Sequence, residues 1–556
     1  MGVSRRTFVG AAAGASAAGG LAALGMASTA RASTAVPAAS GPGDVVGKTT
    51  VGYQGWFACI GDGAPINAWW HWSPDSAQPP SPSNTGIVAW PDVRDFTRTY
   101  RTSYANLGNG QPATLFSSYD QQTVDTHFQW MQQYGIDTAA LQRFNPTGGE
   151  GPTRDAMAAK VRSAAESHGV KFYVMYDVTD WTAMQSEIKT DWTNKMSAHT
   201  ASSAYARQNG KPVVCIWGFG FNDDKRPWAP APCLDVVNWF KSQGCYVIGG
   251  VPTWWRTGDR DSRPGFSDVY HAFHMLSPWM VGRIGNVSDA DNFFNVATVP
   301  DLAECAAHGI DYQPCVLPGA VTLRQRAHGD FMWRQFYNMC RAGVQGVYIS
   351  MFDEYNEGNQ IAKTAESQAW VPTDSGFLAL DEDGTACSSD YYLRLTGDGG
   401  LMLKGQIALT ATRPTQPTTG GNTGTGTVVS LRARANGDYV TAENAGASPL
   451  IANRTSVGPW EQFDLIDRGS GNVALRAHAN NQYVTAENAG ASPLIANRTS
   501  AGQWETFQLV HNANGTVSLL ALADNQYVTA ENGGAAALIA NRAAIGTWEQ
   551  FDLITN

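Results

Sequence analysis

From about residue 45 to residue 411 the chain alternates short apolar, β-branched runs with amphipathic stretches of helical period. The runs at 50–56, 136–143, 170–177, 213–217, 246–254, 312–317 and 345–352 read as strands, and 153–168, 233–242, 302–308 and 329–342 as helices. Alternation of this kind predicts parallel strands joined by helical crossovers. No glycine-rich phosphate loop opens any of these helices. The expected fold over 45–410 is therefore α/β, a (β/α)8 TIM barrel with insertions, in preference to a doubly wound sheet.

The pattern changes at 411–427, where Pro, Thr and Gly replace anything that could pack a core, and this stretch reads as a linker. Beyond it the sequence repeats. Tyr439-Val-Thr-Ala-Glu443-Asn444 returns at Tyr483 and again at Tyr527, 44 residues apart each time, and Trp460-Glu461 with Phe463 returns as Trp504-Glu505 with Phe507 and Trp548-Glu549 with Phe551. Each copy holds several short strand patterns between Asn, Gly and Asp turns. Three copies are too few for a propeller and lack the atypical caps of a solenoid, which leaves a closed threefold all-β domain, a β-trefoil, over 428–556. The repeated Trp, Tyr and Phe are expected in its core, and the polar Glu443, Asn453, Glu487, Asn497, Glu531 and Asn541 on its carbohydrate-binding surface. The repeats resemble fascin-like β-trefoil modules, and that resemblance implies ancillary carbohydrate binding.

Composition narrows the function. Among 556 residues, 48 acidic side chains outweigh 38 basic ones, which disfavours nucleic acid and other polyanions as partners. Nineteen Trp in a weakly charged chain suit a sugar-binding protein. At the start, Arg5-Arg6 precede an Ala/Gly-rich stretch and Ala30-Arg31-Ala32, which over 1–32 reads as a twin-arginine signal peptide and predicts a secreted protein. No later segment is apolar enough to span a membrane, so the mature form is expected without one, as a monomer. The eight cysteines include no Cys-x-x-Cys pair, and their pairing stays open. His271 and His274 lack an acidic partner at ligand spacing, so no metal and no cofactor are expected.

In a barrel of this type chemistry gathers at the carboxyl ends of the strands. There the run Val347-Tyr-Ile-Ser-Met-Phe-Asp353-Glu354-Tyr-Asn-Glu357-Gly358 delivers three carboxylates. If the chain turns at Gly358, Glu354 and Glu357 share one side of the turn, close enough to address one glycosidic bond. Other polar and aromatic groups expected around a substrate are Tyr53, Trp56, Trp72, Arg143, Asp177, Trp217, Trp254, Trp255, Arg256 and Asn356, with Trp70 and His71 near the mouth.

Tyr53-Gln-Gly-Trp56-Phe57, Tyr176-Asp177, Lys211-Pro-Val-Val214, Pro252-Thr-Trp-Trp255 and Asp353-Glu354-Tyr-Asn-Glu357-Gly-Asn-Gln-Ile361 resemble glycoside hydrolase family 99 and its family 71/99-like relatives. The resemblance implies a (β/α)8, retaining, endo-acting and metal-independent hydrolase of α-mannosides in a polysaccharide. It implies that Glu354 deprotonates the sugar 2-hydroxyl, while Glu357 protonates the leaving oxygen and then activates water. The chain carries Tyr355 and Asn356 where Trp and His are usual in the endo-mannosidases, and Ala362 where an acid often follows. An α-1,3-glucanase of family 71 and a non-catalytic glycan-binding lectin are the alternatives.

Overall fold

The computed structural model describes residues 39–418, 427–469, 472–480, 482–498, 501–512 and 514–555, so the signal peptide expected over 1–32 lies outside it. The chain divides into two compact units, one ending at Pro417 and the other beginning at Thr418. Among the described residues no helix is long and apolar enough to cross a membrane.

The first unit is a curled, barrel-like parallel sheet wrapped by helices. Its strands are β1 (Thr49–Tyr53), β2 (Thr138–Arg143), β3 (Lys171–Asp177), β4 (Lys211–Trp217), β5 (Tyr246–Val251), β6 (Met275–Pro278), β7 in two pieces (Asp311–Tyr312 and Cys315–Val316) and β8 (Val347–Ile349). Each of β1 to β6 pairs in parallel with the next. The first piece of β7 pairs with β6, the second with β8, and β8 returns to β1 with Thr49 opposite Val347. Only Gln313 and Pro314 separate the two pieces of β7, so the sheet curls back onto itself. Helices α1 (Gln121–Gln133), α2 (Gly151–His168), α3 (Met184–Asn194), α4 (Pro230–Ser242), α5 (Ser267–His271), α6 (Val287–Phe293), α7 (Val299–Ala307) and α8 (Asp330–Ala342) fill the connections, and α9 (Tyr391–Leu403) follows the last strand. Strand β6, with α1, α3, α5, α6 and α9, was not foreseen from the pattern.

The strands are buried on both faces, as their continuous apolar runs demand. Inward-pointing Tyr173, Met175, Cys215, Trp217, Ile248 and Tyr348 leave a central cavity of only about 10 Å³, room for no more than a water molecule. All eight cysteines are unpaired and seven are buried, so they pack as small apolar groups and form no disulfide framework. Residues 411–417, read as the start of a linker, are bonded to this unit: Arg413 Nε donates to Asp330 Oδ1 (2.8 Å) and Ser388 Oγ to the carbonyl of Pro417 (3.3 Å).

The second unit is all-β. Six antiparallel strands, Thr427–Ala433, Phe463–Gly469, Asn472–Ala477, Phe507–His511, Val517–Ala521 and Phe551–Thr555, pair in a closed ring. Three hairpins complete it: Tyr439–Thr441 with Ile451–Arg454, Gln482–Thr485 with Ile495–Arg498, and Gln526–Thr529 with Ile539–Arg542. A triangle of main-chain bonds joins the hairpins, Leu450 to Leu494, Leu494 to Leu538 and Leu538 to Leu450, each 2.8 Å from nitrogen to oxygen. The repeat therefore closes on itself and leaves no copy to serve as a cap. Phe463, Phe507 and Phe551 are fully buried, as expected, whereas the equally repeated Tyr439, Tyr483 and Tyr527 are only half-buried and Trp460, Trp504 and Trp548, 37%, 37% and 39% exposed, stand outside the core. Trp was placed inside on hydrophobicity alone; the buried positions of each repeat are already filled by Phe, Leu, Val and Ala.

Interior packing makes the glycines of the strands informative. A Cβ on Gly52 of β1 would lie 2.1 Å from the Tyr348 hydroxyl and 2.4 Å from the sulfur of Met351. With so little free volume these side chains have nowhere to go. Gly52→Ala is therefore expected to destabilise the protein by about 1–3 kcal/mol, measured by denaturant unfolding; an unchanged midpoint would contradict a filled barrel centre.

Candidate active site

Strand β8 runs out into a tight reversal. The main-chain nitrogens of Glu357, Gly358 and Asn359 all point to the carbonyl of Glu354, at 3.3, 3.1 and 3.3 Å. Gly358 sits at φ +73°, a conformation that favours glycine. The chain then returns along itself, with Met351 N bonded to Asn359 O and Ile361 N to Met351 O, both 3.0 Å. Buried Arg326 holds the outer side of the reversal by donating to the carbonyls of Gly358 (3.0 Å) and Gln360 (2.7 Å). Glu354 and Glu357 thus lie on one turn at the carboxyl end of the last strand, Glu354 fully buried and Glu357 8% exposed.

A second set of contacts locks this turn to β1. Asp353 accepts the main-chain N–H of Gln54 (2.7 Å) and of Gly55 (2.8 Å) on separate oxygens. From the other side, buried Arg154 of α2 donates to the carbonyls of Gly55 (2.8 Å) and Gln54 (2.7 Å), and to that of Gln142 in β2. With its backbone held on both sides, Gln54 donates from Nε2 to Glu354 Oε1 (2.8 Å). Burial pushes the Asp353 carboxyl up to about 6, against the opposing pull of the two N–H groups and Arg154.

The loop leaving β1 supplies aromatic walls. Trp56 stacks on His71 with centroids 3.7 Å apart and on Phe144 at 5.4 Å. His71 is held in a left-handed conformation, φ +60°, and burial keeps its imidazole well below the usual histidine range, hence neutral. Trp56 Nε1, His71 Nε2 and Asn356 Oδ1 are buried polar atoms with no bond to a protein partner among the described residues. Trp70 donates to Glu150 (3.2 Å). Asp177 closes β3 and accepts from the nitrogen (3.0 Å) and hydroxyl (2.6 Å) of Thr179. Trp217 ends β4 beneath the Arg226 guanidinium (4.7 Å), and half-buried Trp254 carries that of Arg260 (3.7 Å).

Several residues expected at the cleft are instead part of the framework. Tyr53 faces the helical layer, fully buried, with its hydroxyl on His127 Nδ1 of α1 (3.1 Å). Trp72 is buried against Phe57 and donates to the carbonyl of Phe116 (3.1 Å). Arg143 ends β2 but turns outward to Asp191 and Asp155, both at 2.6 Å. Trp255 and Arg256 both bond Asp301 of α7 at 3.0 Å. For Tyr53 and Arg143 the reason is shared: side chains alternate along a strand, and the outward member of each pair meets a helix whatever its polarity.

In the second unit the repeated glutamates are held by their own hairpins. Asn453 and Arg454 donate to opposite oxygens of Glu443 (2.9 and 2.8 Å), Asn497 and Arg498 to Glu487 (2.7 and 2.8 Å), and Asn541 and Arg542 to Glu531 (3.0 and 2.9 Å). The asparagine bond leads, with arginine assisting, in holding each carboxyl below its usual range. The nitrogens of Ala442, Ala486 and Ala530, each one residue before the glutamate, bond the carbonyls of the exposed Trp460, Trp504 and Trp548. In each repeat the segment with the ordered carboxylate and the segment with the exposed indole are therefore joined by one main-chain bond.

No protein-family model and no curated protein matches the chain. Among solved structures it is similar to the GH99 endo-alpha-mannosidase from Bacteroides thetaiotaomicron, at 15% identity and a TM-score of 0.46 over 65% of this chain and 98% of that one. A further structure of such an enzyme, in complex with BIS-TRIS-Propane, is similar at 15% identity and a TM-score of 0.45, with the same coverage. The designed threefold symmetric protein ThreeFoil is 26% identical over 23% of this chain and 99% of its own, with a TM-score of 0.22.

Asp353 gives the site a pH signature. The unfolded chain ionises this group near 3.8 and the folded protein only near 6, so between those values the folded state holds more protons and stability falls as pH rises. The unfolding free energy of the wild type minus that of Asp353→Asn should therefore decrease from pH 3.8 to about 6 and level off above it. A difference that is flat or rising over that window would contradict the assignment.

Proposed function

We propose that this protein is an exported polysaccharide hydrolase: a (β/α)8 TIM barrel that cleaves α-mannosidic linkages with Glu354 and Glu357, joined to a glycan-binding β-trefoil. The observation that carries this reading is the turn itself, which presents two buried carboxyl groups at a strand end, with Glu354 held by Gln54 and its backbone tied to β1. Neighbours at i and i+3 on a turn lie about 5–6 Å apart at Cβ. That spacing lets both carboxyl groups address one glycosidic bond.

The chemistry asks different things of the two groups. In an α-mannoside the axial 2-hydroxyl lies anti to the axial leaving group. With Glu354 taking its proton, the 2-oxygen attacks the anomeric carbon from behind, while Glu357 delivers a proton to the departing oxygen. Water then attacks the anomeric carbon and gives its proton to Glu357, the bond from that carbon to the 2-oxygen breaks as Glu354 returns its proton to the 2-oxygen, and the anomeric configuration is retained. No enzyme nucleophile is needed. The bare polar atoms of Trp56, His71 and Asn356 offer hydrogen bonds for sugar hydroxyls.

Proton NMR during digestion of α-mannan tests this reading. The wild type should release α-hemiacetal ends first, and Glu357→Gln should lose about 10²-fold or more of the rate. Mannan left intact by the wild type, with α-1,3-glucan cleaved, would move the assignment to the glucanase; neither polymer cleaved would favour the lectin.

In the trefoil, the exposed Trp of each repeat supports one sugar site per repeat, and three weak sites on one module bind a multivalent glycan far more tightly than one. Replacing Trp460, Trp504 and Trp548 together by Ala should abolish co-sedimentation with insoluble mannan, and a single replacement should weaken it by about tenfold or more. Full retention by the triple variant would overturn the assignment of these indoles.

A further inference from the structure

Away from the catalytic turn, the helical layer brings three metal-ligating side chains together. His271 is the last residue of α5, Glu304 lies in the final turns of α7, and His308 caps that helix. His271 Nε2 is 3.1 Å and His308 Nε2 3.3 Å from the same oxygen, Glu304 Oε1, and the three ligand atoms lie within 4.8 Å of one another. A tetrahedral ion with bonds of about 2.0–2.1 Å spaces its ligands about 3.3–3.4 Å apart, so both measured edges suit such an ion.

We propose that His271, Glu304 and His308 form a binding site for a divalent transition ion of the zinc type, with water completing its shell. Two imidazoles and one carboxylate suit zinc, copper, nickel or cobalt, and offer too few oxygens for calcium or magnesium. The site is open on one side, with side-chain exposures of 24%, 35% and 42%, which gives the ion a way in and a place for water. On the other side it is braced. Trp255 sets its edge against His271 (6.3 Å, 87°) and bonds Asp301, one turn before Glu304 on α7, so α5 and α7 are already positioned without the ion.

At present the two imidazoles lie stacked, 3.7 Å between centroids and 14° between planes. Parallel rings cannot aim two in-plane lone pairs at one point, so binding turns at least one ring out of the stack, a rotation the exposed His308 is free to make. Because α5 and α7 end where β6 and β7 begin, the ion would clip two helices together at the end of the sheet opposite Glu354. Its role is structural, and the inference does not depend on the hydrolase reading.

The test is a calorimetric titration of chelator-stripped full-length protein with zinc chloride, paired with thermal unfolding with and without zinc. His308→Ala and Glu304→Gln are run beside the wild type because His328 also contacts carboxylates, those of Asp330 and Asp383. The wild type should give a single-site isotherm and a raised unfolding midpoint. Each variant should bind about tenfold more weakly or worse, and show a smaller midpoint shift or none. No zinc binding by the wild type, equal affinity in both variants, or equal affinity for magnesium would overturn the proposal.

Discussion

The carboxylate of Asp353 is the constraint on which the rest of the first unit depends. It is buried, it follows the strand that closes the sheet, and both its oxygens accept main-chain N–H groups just beyond the strand that opens it. Main-chain donors left unpaired in that interior would each cost about 1–3 kcal/mol, so the link between last and first strand is specific. Arg154 supplies the complementary half by bonding the carbonyls of the same two residues. Residues Gln54 and Gly55 are thereby fixed on both edges, and from that fixed backbone the Gln54 side chain reaches Glu354. Closure of the sheet and orientation of the Glu354 carboxyl are one arrangement.

How much of this was legible in the sequence varies by element. The long apolar strands declared themselves because both faces are buried. Strand β6 did not: Met275–Pro278 is four residues long, ends in Ser-Pro and carries no periodicity to read. The turn at Glu354 and Glu357 was legible because Gly358 follows two glutamates directly after an apolar run. Gln54 stood inside a motif already singled out, yet nothing local marks a glutamine as the partner of a residue 300 positions away. Arg154 was hidden by its setting in an amphipathic helix, where an arginine ordinarily faces water. Tyr53, Arg143 and Arg256 erred in the opposite direction, since a polar group near a strand end can serve the helix layer as readily as a substrate.

The second unit shows the same tension between symmetry and chemistry. Threefold repetition requires the same residue in each copy, but it does not say whether that residue is inside or outside. Phe463, Phe507 and Phe551 repeat because the core is symmetric; Trp460, Trp504 and Trp548 repeat on the surface, where packing exerts no such demand. Repetition of a large exposed apolar group is what a multivalent ligand would select.

Division of labour between the two glutamates is the central claim, and it is tested most directly by varying the leaving group. If Glu357 protonates the departing oxygen, the rate deficit of Glu357→Gln relative to wild type should be large for α-mannosides with a sugar leaving group. It should shrink steadily as the leaving group becomes an ever more acidic phenol, while the deficit of Glu354→Gln stays constant across the series. An equal deficit for Glu357→Gln at every leaving-group acidity would contradict the account.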